Sequence, residues 1–256
     1  MQKFQKTMLG MLMGLLITPA VAQDEANAID ADAMQDLVNM GTYLRSLKAF
    51  RVKVSTENEV VLDDGQKLQY ETSVDMLARA PDGLRVHDVS DNHERMYFFD
   101  GESFTLWAKR VNYYASVDAP PTILGLVNKL EENFGLSLPL SDLFLWGTDE
   151  ATTSAITSAM DVGPAGINGT TCEQYAFRQE GVDWQLWIQR GDYPLPCKLV
   201  ITSLTDEARP QYSAVYDWDL APSFNDEAFI FVAPDDAQRV VLENLKAEVD
   251  SDEAEK

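Results

Sequence analysis

Alternation with a period of two recurs along most of this chain, and it restricts the fold more than any other feature. Phe50, Val52 and Val54 alternate with Arg51, Lys53 and Ser55, the pattern of a strand with one dry and one wet face. Asp64-Gly65 supplies a hairpin turn, because both residues tolerate positive φ. The return strand carries Leu68, Tyr70, Thr72, Val74 and Met76 on one side and Gln69, Glu71, Ser73 and Asp75 on the other. After the turn Ala80-Pro81-Asp82-Gly83, residues 84–89, 95–99, 103–109 and 113–117 read as further strands of a meander, with another turn at Asp100-Gly101. From Asp161 the pattern returns, with strands over 172–178, 184–189, 197–204 and 211–218. Phe229-Ile230-Phe231 is a last short strand or edge, ahead of Pro234 and a helical, acidic end.

Helical spacing appears in three places. Met34, Leu37, Val38, Gly41, Leu44 and Leu47 form an apolar stripe behind the cap candidates Asp30 and Asp32. Past Pro120-Pro121, the segment through Trp146 is Leu-rich, first with Ile123, Leu124, Leu126, Val127 and Leu130, then with Leu140, Leu143 and Phe144. That is more apolar surface than a solvent-facing connection needs. Thr148 to Met160 reads as a more polar third helix, capped by Thr148 or Asp149. The sum is an α+β chain of about ten or eleven antiparallel strands, most simply one strongly curved sheet whose concave face is filled or capped by the helices. The alternative is two small sheets joined through a Pro120-Pro121 linker.

The first residues have the order of a secretory signal peptide: Lys3 and Lys6, an apolar run from Met8 to Ile17, then Pro19-Ala20-Val21-Ala22. The run is too short to span a bilayer permanently, and Ala20 and Ala22 are small enough for the peptidase. We expect cleavage after Ala22, export to the periplasm and no stable membrane insertion afterwards. A buried N-terminal helix is the other reading. Removing residues 1–22 takes away two lysines and no acid, so the formal charge moves from -22 to about -24. Nucleic acid is thereby excluded as a partner, since phosphate binding needs clustered Lys and Arg, and docking on anionic lipid heads is disfavoured too. The expected organisation is a signal peptide over 1–22, one domain over 23–246 with a helical insertion at about 120–160, and an acidic, solvating tail over 247–256.

Catalytic motifs are sparse. His87 and His93 are the only histidines, amid Asp88, Asp91 and Glu94, and read as a charged, solvated turn. No Gly-x-Ser-x-Gly elbow, phosphate-cradling loop or His-Glu-x-x-His is present, and the reading is that the chain is not an enzyme. No cofactor or metal is expected. Asn168-Gly169-Thr170 reads as an Asn-Gly turn rather than a glycosylation site. Cys172 and Cys197, an even pair in an exported chain, suggest a disulfide. Strands separated by a third would instead hold their Cα atoms too far apart. What stands out is apolar: the aromatic residues exceed what a thin sheet covered on one face requires. Beside the insertion residues Ile123, Leu124, Leu126, Val127, Leu130, Leu143, Phe144 and Trp146, the candidates to line a ligand cavity are Tyr70, Val74, Phe104, Leu106, Trp184 and Trp218.

The stretch Asp183-Trp184-Gln185-Leu186-Trp187-Ile188-Gln189-Arg190, followed by Pro194-Leu195-Pro196-Cys197-Lys198-Leu199, resembles a family of predicted periplasmic proteins. Tyr97-Phe98-Phe99-Asp100-Gly101-Glu102-Ser103, the Ala80-Pro81 turn through Leu84-Arg85, and Tyr43-Leu44-Arg45-Ser46-Leu47 support the likeness over nearly the whole mature chain. That family is similar to the superfamily of the lipoprotein carrier LolA and the receptor LolB. The resemblance implies a half-barrel with helices plugging its mouth and a hydrophobic cavity for acyl chains. Cys197 stands where the resemblance leads one to expect a basic residue. The implied function is a soluble periplasmic carrier or sensor of an apolar ligand, a lipid or a lipoprotein acyl chain. The competing reading is an envelope protein-interaction module with a filled core and no ligand.

Overall fold

The computed structural model describes residues 28–148 and 153–243. The proposed signal peptide and the acidic tail lie outside the described residues. Among the described residues, twelve strands form one open sheet in the order β12-β6-β5-β4-β3-β2-β1-β11-β10-β9-β8-β7. The first meander comprises β1 (Ala49–Val61), β2 (Lys67–Arg79), β3 (Gly83–Ser90), β4 (Glu94–Phe99), β5 (Ser103–Ala108) and β6 (Tyr113–Asp118). The second comprises β7 (Ser158–Ile167), β8 (Thr170–Gln179), β9 (Val182–Gln189), β10 (Pro196–Ser203) and β11 (Gln211–Asp219). The two meet at a seam where β1 pairs with β11, Arg51 opposite Asp219 through Asn58 opposite Tyr212. Two separate sheets are therefore ruled out, and the fold is the expected α+β chain with one open, curved sheet and helices against one face.

Period-two patterning sets the register. Read across the sheet, Leu106, Tyr97, Val86, Met76, Val52 and Trp218 are successive cross-strand partners, the inner four in the main core and the outer two packed against it. A slip of one residue on any strand would turn its core-facing set out to solvent and its polar set inward. Beyond the core the β1–β2 hairpin runs on into solvent, so Tyr70, although in phase with Val74, is 44 % exposed.

Helix α1 (Ala31–Ser46) is capped by Asp30, whose carboxylate accepts from the N–H groups of Asp32 and Ala33 at 2.8 and 3.3 Å. Its buried stripe is Ala33, Leu37, Met40, Gly41 and Leu44, while Val38, expected inside, is half exposed. Strands β6 and β7 lie towards opposite edges, so the connecting insertion has to travel the width of the sheet. It crosses the concave face as α2 (Ile123–Phe134) and the four-residue α3 (Asp142–Leu145). Thr122 caps α2 by accepting from the Gly125 N–H, and Gly135, at φ 60°, ends it in a left-handed turn. Ile123, Leu126, Val127 and Leu130 all face the sheet and are at most 4 % exposed.

Three expected elements differ. Of the polar helix expected over 148–160, residues 149–152 lie outside the described part. Thr153–Ala155 make a single 3-10 turn, and from Ser158 the chain is already strand β7. Ala, Ser and Thr carry too little periodicity to set a helix against pairing with β8, where Ala159 faces Phe177. Phe229-Ile230-Phe231 form no strand. Phe229 ends a 3-10 turn at Asp226–Phe229, and Ile230 and Phe231 follow it in a strap laid over the convex side. The Phe231 ring sits among Phe98, Trp107 and Tyr114 at 5.4, 5.9 and 5.1 Å. Past Pro234 the described chain is not helical but adds β12 (Gln238–Arg239), parallel to β6 and covering its edge. Because Phe231 holds the strap through three rings, Phe231→Ala is expected to cost about 2 kcal/mol, less than the loss from a fully buried phenylalanine. A thermal melt followed by near-UV circular dichroism checks it.

Cys172 and Cys197 form a disulfide, with Sγ atoms 2.09 Å apart. They do lie on β8 and β10, either side of β9. The bond is possible because Cys197 occupies a bulge between Pro196 and Lys198, opposite the last residues of β9, and the Cα atoms come to 6.8 Å. With Trp187 the pair makes a small second core, separate from the main one.

Candidate apolar clefts beside the α3 plug

The insertion leaves two apolar clefts, one on each side of α3. The first has a volume of 270 Å³ and is walled by Leu37 and Val38 of α1, Leu145 and Trp146, Ile156, and Trp184 of β9. The second, of 240 Å³, lies between the C-terminal part of α1, Phe50 and Ala78 of the sheet, Ile123 and Leu124 of α2, and Leu143 and Phe144 of α3. The plug thus forms a wall of both. Three larger grooves, of 430, 360 and 350 Å³, carry charged or polar side chains such as Asp36, Asp161 and Glu173, Arg51 and Arg85, or Asn168, Gln189 and Asp217, and suit water better than an apolar ligand.

Leu143 anchors the plug in the main core, and few polar contacts add to it. At its C-terminal end Gly147, at φ 76°, touches Gly41 of α1 backbone to backbone: a Cβ on Gly41 would lie 2.8 Å from the Gly147 nitrogen. Only glycine permits that approach. Arg45 Nη1 donates to the Trp146 carbonyl at 3.2 Å, and Thr148 Oγ1 donates to the Leu145 carbonyl at 2.7 Å. At the sheet the Phe144 ring stacks on Phe50, 6.2 Å between centroids, and Phe50 in turn packs on Trp218 at 5.3 Å. Trp184 stacks on Phe177 at 4.1 Å, and its Nε1 donates to the Gln179 amide oxygen at 2.9 Å.

The sequence candidates divide into three groups. Ile123, Leu124, Leu143, Phe144, Trp146 and Trp184 line the clefts. Leu126, Val127, Leu130, Val74 and Phe104 are fully packed in the core, with Leu106 and Trp218 partly buried against it. Tyr70 lies away from both clefts, at the exposed end of the β1–β2 hairpin. Sequence reasoning misses the contribution of α1, whose apolar stripe is visible but carries no sign that it walls a cavity. It also misses Asp142.

Asp142 opens α3 and borders the first cleft. Part of the residue reaches the surface, but its carboxyl is turned into apolar surroundings, and burial pushes its pKa up to about 6 against the help of its own N–H and that of Leu143. Two β11 side chains feel it. Tyr212 and Tyr216 are both raised, first by burial and then by the Asp142 charge, and the Tyr216 hydroxyl is buried without a hydrogen-bond partner. Elsewhere Tyr175 donates to Asp36 of α1 and is raised by burial and by that bond.

The histidine turn is less solvated than its sequence suggests. His93 Nε2 lies 3.1 Å from Asp88 Oδ2 and its Nδ1 2.8 Å from Ser90 Oγ, with Asp88 only 6 % exposed. All three belong to the β3–β4 hairpin, remote from the clefts. His87 sits 3.0 Å from Glu94, which also takes Lys109.

Similar solved structures include an uncharacterised conserved protein from Thermus thermophilus, at 10 % identity and TM-score 0.46, covering 81 % of this chain and 98 % of that one. The Mycobacterium tuberculosis lipoprotein LppX is similar at 13 % identity and TM-score 0.48, covering 77 % and 100 %. A chain of the Pseudomonas aeruginosa MucA/MucB complex is similar at 16 % and 0.44, covering 77 % and 60 %. No curated protein matches the chain. Residues 33–243, from the first turn of α1 to the end of the described strap, match the family described as predicted periplasmic protein (DUF2092), and the chain belongs to that family.

Proposed function

We propose that this protein is exported by a signal peptide cleaved after Ala22 and acts in the periplasm as a carrier or sensor of an apolar ligand, a lipid or a lipoprotein acyl chain. The observation that carries the reading is the pair of apolar clefts divided by a short plug. Each is below the ~300 Å³ at which ligand pockets ordinarily begin. Joined by displacement of α3 they would hold a chain, at about 0.8 kcal/mol for each methylene taken from water. The disposition of the aromatic residues also supports it. Phe50, Phe144, Trp146 and Trp184 border the clefts, while on the opposite face of the sheet Phe98, Trp107 and Tyr114 are covered by Phe231 and Trp187 packs at the disulfide. Protein purified from the envelope fraction and extracted with organic solvent is expected to release lipid detectable by mass spectrometry. Solvent extracts free of lipid, together with failure of the protein to bind an added fatty acid, would sink the proposal.

The second reading, an envelope protein-interaction module, draws on the β7 edge, where Ile29, Met160 and Val162 are about half exposed and the strand's outer side is bridged at Ala159 by the short segment at Ile29. Cross-linking in the envelope, with loss of the product on Val162→Lys, would favour it.

A further inference from the structure

The first cleft is apolar but for one ionisable group. Among its described lining residues Asp142 is the only acid, and no lysine or arginine lines it. Among the described residues the carboxyl accepts only from the two N–H groups that begin α3. A carboxylate taken from water without a counter-charge is expensive, and such a group is retained where something else supplies the charge. Gln179, positioned by Trp184, adds a polar group on the opposite wall. Around these stand Leu37, Val38, Leu145, Trp146 and Ile156. One apolar wall with an uncompensated anion at its base complements a single ligand chemistry: a cationic, hydrogen-bond-donating head on an aliphatic chain.

We infer that this cleft takes an amphiphile with a primary ammonium head, the ammonium on the Asp142 carboxylate and the chain along Val38, Trp146, Ile156 and Trp184, an assignment that rests on the apolar-ligand reading above. The head would restore the counter-charge that the protein does not provide, and an ammonium has three donors, enough to serve a carboxylate and still reach a further acceptor. Alcohols of the same length would gain the apolar contacts alone. Carboxylates would meet Asp142 as a like charge.

The test uses the mature protein and three probes of equal chain length, dodecylamine, dodecanol and dodecanoate, followed by the fluorescence of Trp146 and Trp184. At pH 8 the amine is expected to bind roughly tenfold or more tightly than the alcohol, as a charged hydrogen bond warrants, with the acid weakest. Asp142→Asn is expected to erase the preference while leaving binding of the alcohol, which serves as the folding control, unchanged. Equal binding of all three probes, or a preference that survives Asp142→Asn, would overturn the inference and leave the apolar-ligand reading standing. Binding of none would overturn both. Retention of phosphatidylethanolamine over phosphatidylglycerol would place the ammonium on a lipid head; binding of dodecylamine without either would place it on a free amine.

Discussion

Protein in which Cys172 and Cys197 are both replaced by alanine is expected to unfold about 3.5 kcal/mol more readily than the oxidised wild type. The bond closes a loop across a sequence separation of 25, and removing that constraint returns conformational freedom to the unfolded chain by about this amount. A local loss adds to it, because Trp187 packs with the two cysteines in a cluster of its own and would keep Ala165, Ile167 and Val200 as apolar neighbours, with the Lys198 ammonium over its ring. Equilibrium urea unfolding with and without a reductant separates the contributions. The oxidised wild type should have the higher midpoint, and reduced wild type should fall close to the double variant. If the double variant matches the oxidised protein, the bond does not constrain the unfolded state.

Asp142→Asn should move stability the other way. A carboxyl that titrates at about 6 in the folded protein and near 3.8 when unfolded holds its proton more tightly when folded. Its contribution to stability is thus most favourable below the unfolded value and is lost as the pH rises through the folded one. Once ionised it costs on the order of 3 kcal/mol. The variant is therefore expected to exceed wild type by roughly that amount at pH 8 and to match it near pH 4. The comparison has to be made as a difference, since other carboxylates act in the opposite sense. Asp75 is held low by Arg51 and Asp183 by Arg178, so both favour the folded state at neutral pH and lose that contribution in acid. A difference between variant and wild type that does not change between pH 4 and 8 would show that the carboxyl is not buried in the way described. A stabilising substitution that also removes ligand selectivity would mark Asp142 as a group kept for function at a cost in stability.

The strands are legible because each buries one face, and that leaves a period of two in the sequence. Phe50-Val52-Val54 and Tyr212-Ala214-Tyr216-Trp218 need no partner to be recognised. Their partnership is a different matter. The β1–β11 seam joins segments that no turn connects, so local patterning can only make one sheet the simpler choice. Strand β7 escapes detection because Gly163, Pro164, Ala165 and Gly166 occupy an edge, where half the pairing and most of the burial that shape a strand's composition are missing. The Phe231 strap reads as a strand because a short aromatic run fits an edge as well as it fits a nest of rings. In the clefts, the apolar side chains of the insertion can be named but not sorted. Leu124 and Leu126 are two residues apart, yet one lines a cleft and the other is in the packed core. Asp142 gives no signal at all, since an acid after a serine and before Leu-Phe-Leu reads as an ordinary helix start.

The seam also has a bearing on when the molecule can form. It brings residues 51–58 against 212–219, so during synthesis the first meander emerges with the β1 edge bare and waits for almost the whole remaining chain. Until β11 appears, α1 and the insertion have only half a sheet to cover. Pairings so distant in sequence form slowly, because a large loop must close before any contact offsets its entropy. A chain built this way keeps its two meanders apart through most of its own translation, and the pair of strands that joins them closes only once β11 has been delivered.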